Sequence, residues 1–155
     1  MLYLKARGVA KDEDHAVALF QQACDAKNAN GCRNLGVTYR DGAGATKPDV
    51  AKMLATLASA CDYGSGPSCH DLGLRYLDGK DVKKNGKLAL SLFEKSCDAD
   101  SGASCFEAAL IYDDHKLVPA NPKRAIELYT KGGDDDDVAA CTNLGVAYEY
   151  GTGVA

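Results

Sequence analysis

Seven cysteines stand in a chain of 155 residues, and their spacing is the first chemistry the sequence offers. Cys24 and Cys32, Cys61 and Cys69, and Cys97 and Cys105 form three C-x7-C pairs. That spacing does not suit a zinc knuckle, whose cysteines are separated by about two to four residues. Residues eight apart across a tight turn between helices face each other at the base of a hairpin. Their Cα atoms then fall within the range of about 4.4–6.8 Å that a disulfide requires. The predicted disulfides are Cys24–Cys32, Cys61–Cys69 and Cys97–Cys105, each closing a short loop and stabilising by roughly 2–3 kcal/mol. Reduced thiols acting as small buried residues, or a metal site, are the competing readings. Cys141 has Gly133 where a partner would stand, so it is expected as a free thiol, inert or open to an intermolecular disulfide. Disulfides imply an oxidising compartment, periplasmic or secreted, with a mitochondrial intermembrane space as the alternative.

Other reactive patterns are sparse. There is no S-x-x-K and no K-T-G, the motifs of serine β-lactamases. His15, His70 and His115 stand on different repeats and do not cluster. The run Asp134 to Asp137 lacks the D-x-D-x-D-G spacing of a calcium loop; carboxylates at the start of the last helix would instead meet the helix dipole. No catalytic residue, cofactor site or metal site is expected.

The cysteine pairs recur every 36 or 37 residues, and other columns keep the same step. Leu35, Leu72, Ala108 and Leu144 form one column. Gly36, Gly73, Ala109 and Gly145 form the next, and Tyr39, Tyr76, Tyr112 and Tyr148 a third, with Tyr3 one repeat earlier. Small and apolar residues at i, i+3, i+4 and i+7 mark one face of a helix. Asp12, Asp49, Asn85 and Asn121 stand where N-caps belong, and Pro122 follows at a first helical position. This predicts a helical stub at 2–7 and helices near 12–26, 30–41, 49–63, 67–78, 86–99, 103–114, 122–132 and 137–150. The expected fold is all-α, an α/α solenoid: a right-handed superhelix of antiparallel helix pairs. Residues 1–155 are expected to form a single repeat domain of about four units that starts and ends within a repeat.

The segment Asn143-Leu144-Gly145-Val146-Ala147-Tyr148-Glu149-Tyr150-Gly151-Thr152-Gly153-Val154 resembles the Sel-one-like repeat, a relative of the tetratricopeptide repeat. Leu35-Gly36 with Tyr39 and Gly42, and Leu72-Gly73 with Tyr76 and Gly79, fit the same signature. So do the second-helix starts at Asn121-Pro122-Lys123-Arg124-Ala125 and Asn85-Gly86-Lys87-Leu88-Ala89. The third repeat departs from it with Ala108-Ala109 and His115. The C-x7-C pairs resemble a subgroup, the Helicobacter cysteine-rich proteins. The resemblance implies an adaptor that holds other proteins. Its alternatives are a β-lactam-binding or weakly hydrolysing protein, and a redox or assembly factor of an intermembrane space.

One stripe of the first helices varies while its neighbours stay constant. Within it Asn34, Asp71, Arg75, Glu107 and Asn143 are the candidate partner contacts, on what would be the concave face of a solenoid. A merely solvated face is the other reading. The expected partner is a protein or peptide, and end-to-end self-association is also allowed. The net charge of -4 gives no electrostatic footprint for nucleic acid. No stretch reaches the ~18–20 apolar residues of a membrane span.

Overall fold

The computed structural model describes residues 12–114 and 116–153. The expected stub at 2–7, Tyr3 and His115 lie outside them. Among the described residues the chain forms eight helices and no strand. They are α1 (Glu13–Asp25), α2 (Ala29–Asp41), α3 (Val50–Asp62), α4 (Gly66–Asp78), α5 (Gly86–Cys97), α6 (Gly102–Asp114), α7 (Pro122–Asp134) and α8 (Val138–Tyr150). The chain divides into two compact units, Met1–Ser68 and Cys69–Ala155, with α4 beginning in the first and continuing in the second.

Capping sets where the helices begin. Asp12, Asn85 and Asn121 accept from the N–H groups of His15, Leu88 and Arg124, and Asp49 accepts from that of Lys52. Each satisfies a donor that the first turn leaves without a helical partner. The first helices of the repeats have caps of their own. Asn28 accepts from Gly31 N–H and Asp137 from Ala140 N–H. The aspartate run is thus divided among three tasks. Asp134 ends α7, Asp135 is its C-cap, and Asp137 caps α8. Asp136 lies between them in the left-handed region, at φ 65°.

That left-handed residue is periodic. Lys27, Gly64, Asp100 and Asp136 occupy the same place in successive turns between helices, at φ 60°, 94°, 58° and 65°. Three of the four turns hold an L-residue in a conformation that costs roughly 1–2 kcal/mol relative to the right-handed region. The turn is so short that one residue must reverse the chain.

The turns stay tight because the helices nearly touch at their base. A Cβ on Gly31 would lie 2.5 Å from the Cβ of Ala23, and one on Gly132 would lie 2.9 Å from that of Ala140. In the third repeat the same two positions are Ser96 and Ser104. Both are fully buried, and Ser104 Oγ donates to Ser96 Oγ over 2.7 Å.

Packing between consecutive helix pairs uses the same device at another place. In the first unit, a Cβ on Gly36 would sit 3.1 Å from Leu57 and from Thr56 of α3. In the second, a Cβ on Gly73 would sit 2.6 Å from Phe93 of α5, which is completely buried. Glycine costs up to about 1 kcal/mol of helix propensity here, and the apposed side chain offsets it by burial. The first unit's core contains Ala16, Phe20 and Leu35. The second unit's core runs from Ala89 and Phe93 through Ala108 and Ala109 to Leu128 and Tyr129. At Gly145, by contrast, a Cβ meets nothing within 4 Å among the described residues, and Tyr148 is 63% exposed.

These contacts predict opposite outcomes for one substitution. Gly73→Ala should destabilise by about 1–3 kcal/mol, because the methyl group collides with Phe93. Gly145→Ala should stabilise by roughly 0.5–1 kcal/mol, because helix propensity acts there without a clash. Urea denaturation of the two variants beside the wild type checks both signs.

Candidate functional site

The sulphur atoms belong to the hairpin bases. Cys24 is joined to Cys32 and Cys97 to Cys105, with Cα separations of 4.4 and 4.7 Å. Cys61 and Cys69 are also disulfide-bonded. Every one of these residues except the half-exposed Cys24 is buried. The disulfides therefore fill core volume as well as cross-linking the chain, and five of the six bonded cysteines are shielded from an external thiol. Cys141 is the free and exposed cysteine among the described residues. A Cβ on Gly133 would lie 2.8 Å from its sulphur, so the hairpin geometry persists where the cross-link is missing.

Next to Cys69, His70 enters a chain of hydroxyls. Its Nδ1 lies 2.7 Å from Ser104 Oγ, which also contacts Ser101 Oγ at 3.0 Å. The ring is tilted against Phe93, with 5.6 Å between centroids. Because Ser104 gives its proton to Ser96, the Nδ1–H of His70 donates to Ser104. Ser104 is fully buried, so the pair orders the hairpin and offers no nucleophile to a substrate. The serines that precede the cysteines were the sequence signal for this network, which spacing arguments about cysteine alone pass over.

The stripe on the first helices is graded rather than uniformly polar. Its middle column, Thr38, Arg75, Ile111 and Ala147, is 3%, 7%, 6% and 9% exposed. The outer column, Asp41, Asp78, Asp114 and Tyr150, is exposed in every repeat. The column of Asn34, Asp71, Glu107 and Asn143 lies between, half-buried throughout. Asn34 belongs to the first unit, where its carbonyl accepts from Thr38 Oγ1 over 3.0 Å.

The other four candidates lie in the second unit. Arg75 is sunk into the fold with its charge engaged by the chain itself. Its Nε is 3.3 Å from Asp71 Oδ1, an ion pair without hydrogen-bond alignment, and its Nη1 donates to Asp81. Asp81, from the loop after α4, is the partner that a reading of helix faces misses. Asn143 Nδ2 donates to the Tyr129 hydroxyl over 3.2 Å. Glu107 has no ion pair among the described residues. Burial pushes its carboxyl above the usual range; His70 pulls it down, and Asp78 and Asp137 push it up.

A cavity of about 280 Å³ opens beside Glu107, lined by Leu77, Leu110, Ile111, Asp114 and Leu117. A second, of about 240 Å³, has Tyr129, Asn143 and Ala147 in its wall. Among the described residues no three His, Cys, Asp or Glu side chains converge to hold a metal ion. None of the described helices is long and apolar enough to cross a membrane.

Antiparallel helix pairs, cross-linked at their bases and repeated every 36 or 37 residues, define an all-α helical-repeat protein of the solenoid class. The chain belongs to the Sel1 repeat family, whose model matches residues 1–28, 29–63, 66–101, 102–137 and 138–155. Solved structures agree. A Sel1 repeat protein from Oxalobacter formigenes is 24% identical with a TM-score of 0.86, over 99% of this chain and 63% of that one. The protein c5321 of uropathogenic Escherichia coli, a protective antigen with this fold, is 25% identical with a TM-score of 0.84, over 99% of this chain and 33% of that one. Cysteine-rich protein B of Helicobacter pylori is 27% identical with a TM-score of 0.64, over 86% of this chain and 96% of that one. The chain thus spans less than two thirds of the first two proteins. No curated protein sequence matches it.

Two predictions follow from the hairpin bases and from Glu107. Gly133→Cys should form a fourth cross-link with Cys141, taking the free-thiol titre of the described chain from one to none. It should also add roughly 2–3 kcal/mol of stability. Thiol titration and thermal melts check both. The native state holds the Glu107 proton to a higher pH than the unfolded chain does. Between the ordinary carboxylate value and the raised one, stability therefore falls as pH rises. Glu107→Gln should melt above the wild type at neutral pH, and the difference should vanish below about pH 3.5. Melts across that range measure it.

Proposed function

We propose that this protein is a binding scaffold of an oxidising, extracytoplasmic compartment, whose first-helix face holds a protein or peptide partner. The observation that carries the reading is the grading of that face. Its middle column is buried in every repeat, while the neighbouring column of Asn34, Asp71, Glu107 and Asn143 is polar, changes from repeat to repeat and stays half-buried, open on one side to a partner. A residue kept only for packing would be sunk and apolar, as Leu35, Leu72 and Ala108 are. Asp71, Glu107 and Asn143 are the contacts in the second unit and Asn34 its counterpart in the first. Arg75 acts through Asp71, which it holds in place.

The cross-linked hairpins support the compartment. Buried disulfides persist where the redox poise is oxidising, in a periplasm or outside the cell. The likeness to a Helicobacter cysteine-rich protein agrees with this. The reading predicts a bound partner and no turnover. The variant Asp71→Asn, Glu107→Lys, Asn143→Lys, folded by circular dichroism, should lose the proteins that the wild type captures from the secreted and periplasmic fractions of its source. An identical captured set, or hydrolysis of nitrocefin by the wild type, would refute it.

A further inference from the structure

The cavity beside Glu107 has a chemistry specific enough to say what fills it. Leu77 of α4, Leu110 and Ile111 of α6, and Leu117 of the following loop make an apolar wall. Leu117 is held there by close packing on Gly86, where a Cβ would fall 2.7 Å from its methyl carbons. The volume of about 280 Å³ is at the small end for a ligand site, so it suits one long side chain better than a small molecule.

Carboxylates edge this wall. Glu107 and Asp114 line the cavity, and Asp78 and Asp137 act on Glu107 through space. Local basic groups do not neutralise the set. Arg75 is committed to Asp71 and Asp81. Lys116 contacts Asp114 at 2.8 Å, but it is 78% exposed, and such a surface pair is easily exchanged. His70 is turned to Ser104 through Nδ1. Neither Glu107 nor Asp78 has an ion pair among the described residues. An apolar slot bordered by uncompensated negative charge matches one kind of group: an aliphatic stem that ends in a cation.

We propose that this cavity binds a lysine or arginine side chain of a partner peptide, its methylenes against Leu77, Leu110, Ile111 and Leu117 and its cation between Glu107 and Asp114. The inference rests on the scaffold reading and names the residue that the partner presents. Binding a cation there removes the like-charge repulsion among Glu107, Asp78 and Asp137, which gives the site selectivity for basic over neutral stems.

The test is selection of a random twelve-residue phage-displayed peptide library on the full chain and on Glu107→Gln, Asp114→Asn. The exchange preserves shape and removes both charges, and thermal melts verify that the variant folds. Wild type should enrich peptides with lysine or arginine at one shared position, and the variant should not. For a selected peptide, replacing that residue by norleucine should weaken binding about tenfold by fluorescence anisotropy, the order of one charge-assisted contact. The methyl resonances of Leu77, Leu110 and Leu117 should shift on titration with the unmodified peptide. Enriched peptides without a basic preference, or with equal affinity for the variant, overturn this inference and leave the scaffold reading in place. Failure to enrich any peptide overturns both.

Discussion

The structure depends on places where a side chain is absent. Gly36 and Gly73 leave room for Leu57 and Phe93 of the following helix, each within its own unit. Gly31 and Gly132 leave room for the partner helix at the hairpin base. A helix loses stability with each such glycine when isolated. It gains a close-packed neighbour in return, and dense packing is what makes core burial effective. The disulfides, the buried tyrosine Tyr129 and the left-handed turn residues all follow from helices held this near to each other.

The polar network across α5, α6 and α7 shows how the remaining surface is tied down. The Tyr112 hydroxyl donates to Glu94 Oε1 over 3.2 Å, and Arg124 reaches the same oxygen at 3.6 Å and Glu127 at 3.0 Å. Burial, with Glu94 beside it, holds the Tyr112 phenol above its usual range. One phenol and one guanidinium thus share a carboxylate between three helices. The repeat varies its surface chemistry at such positions while Leu35, Leu72 and Ala108 keep one column buried and apolar.

Much of this was legible in the sequence because period is a strong signal. The helix bounds match expectation to within about two residues, and the caps at Asp12, Asp49, Asn85 and Asn121 stand as their spacing indicated. The candidate site was less legible. A column on a helix does not reveal how deep it sits, so Arg75 reads as a surface contact until its burial and its bonds to Asp71 and Asp81 are seen. Asp81 and Leu117 lie in loops, whose course no periodicity records. The aspartate run reads as a block in sequence, but the chain turns within it and gives each member a different task.

The eight-residue interval between bonded cysteines bears on how the chain acquires its cross-links. Six cysteines can pair in 15 ways. Loop-closure entropy grows with the logarithm of loop length, so a mispaired Cys32 and Cys61, 29 residues apart, is disfavoured against an eight-residue closure by about 1 kcal/mol. Each native bond can form within its own hairpin, without waiting for another repeat to fold. Oxidation can therefore proceed hairpin by hairpin, with little need for an isomerase to reshuffle errors. Cys141, with Gly133 across from it, stands outside that scheme, because every other described thiol has a near neighbour to take.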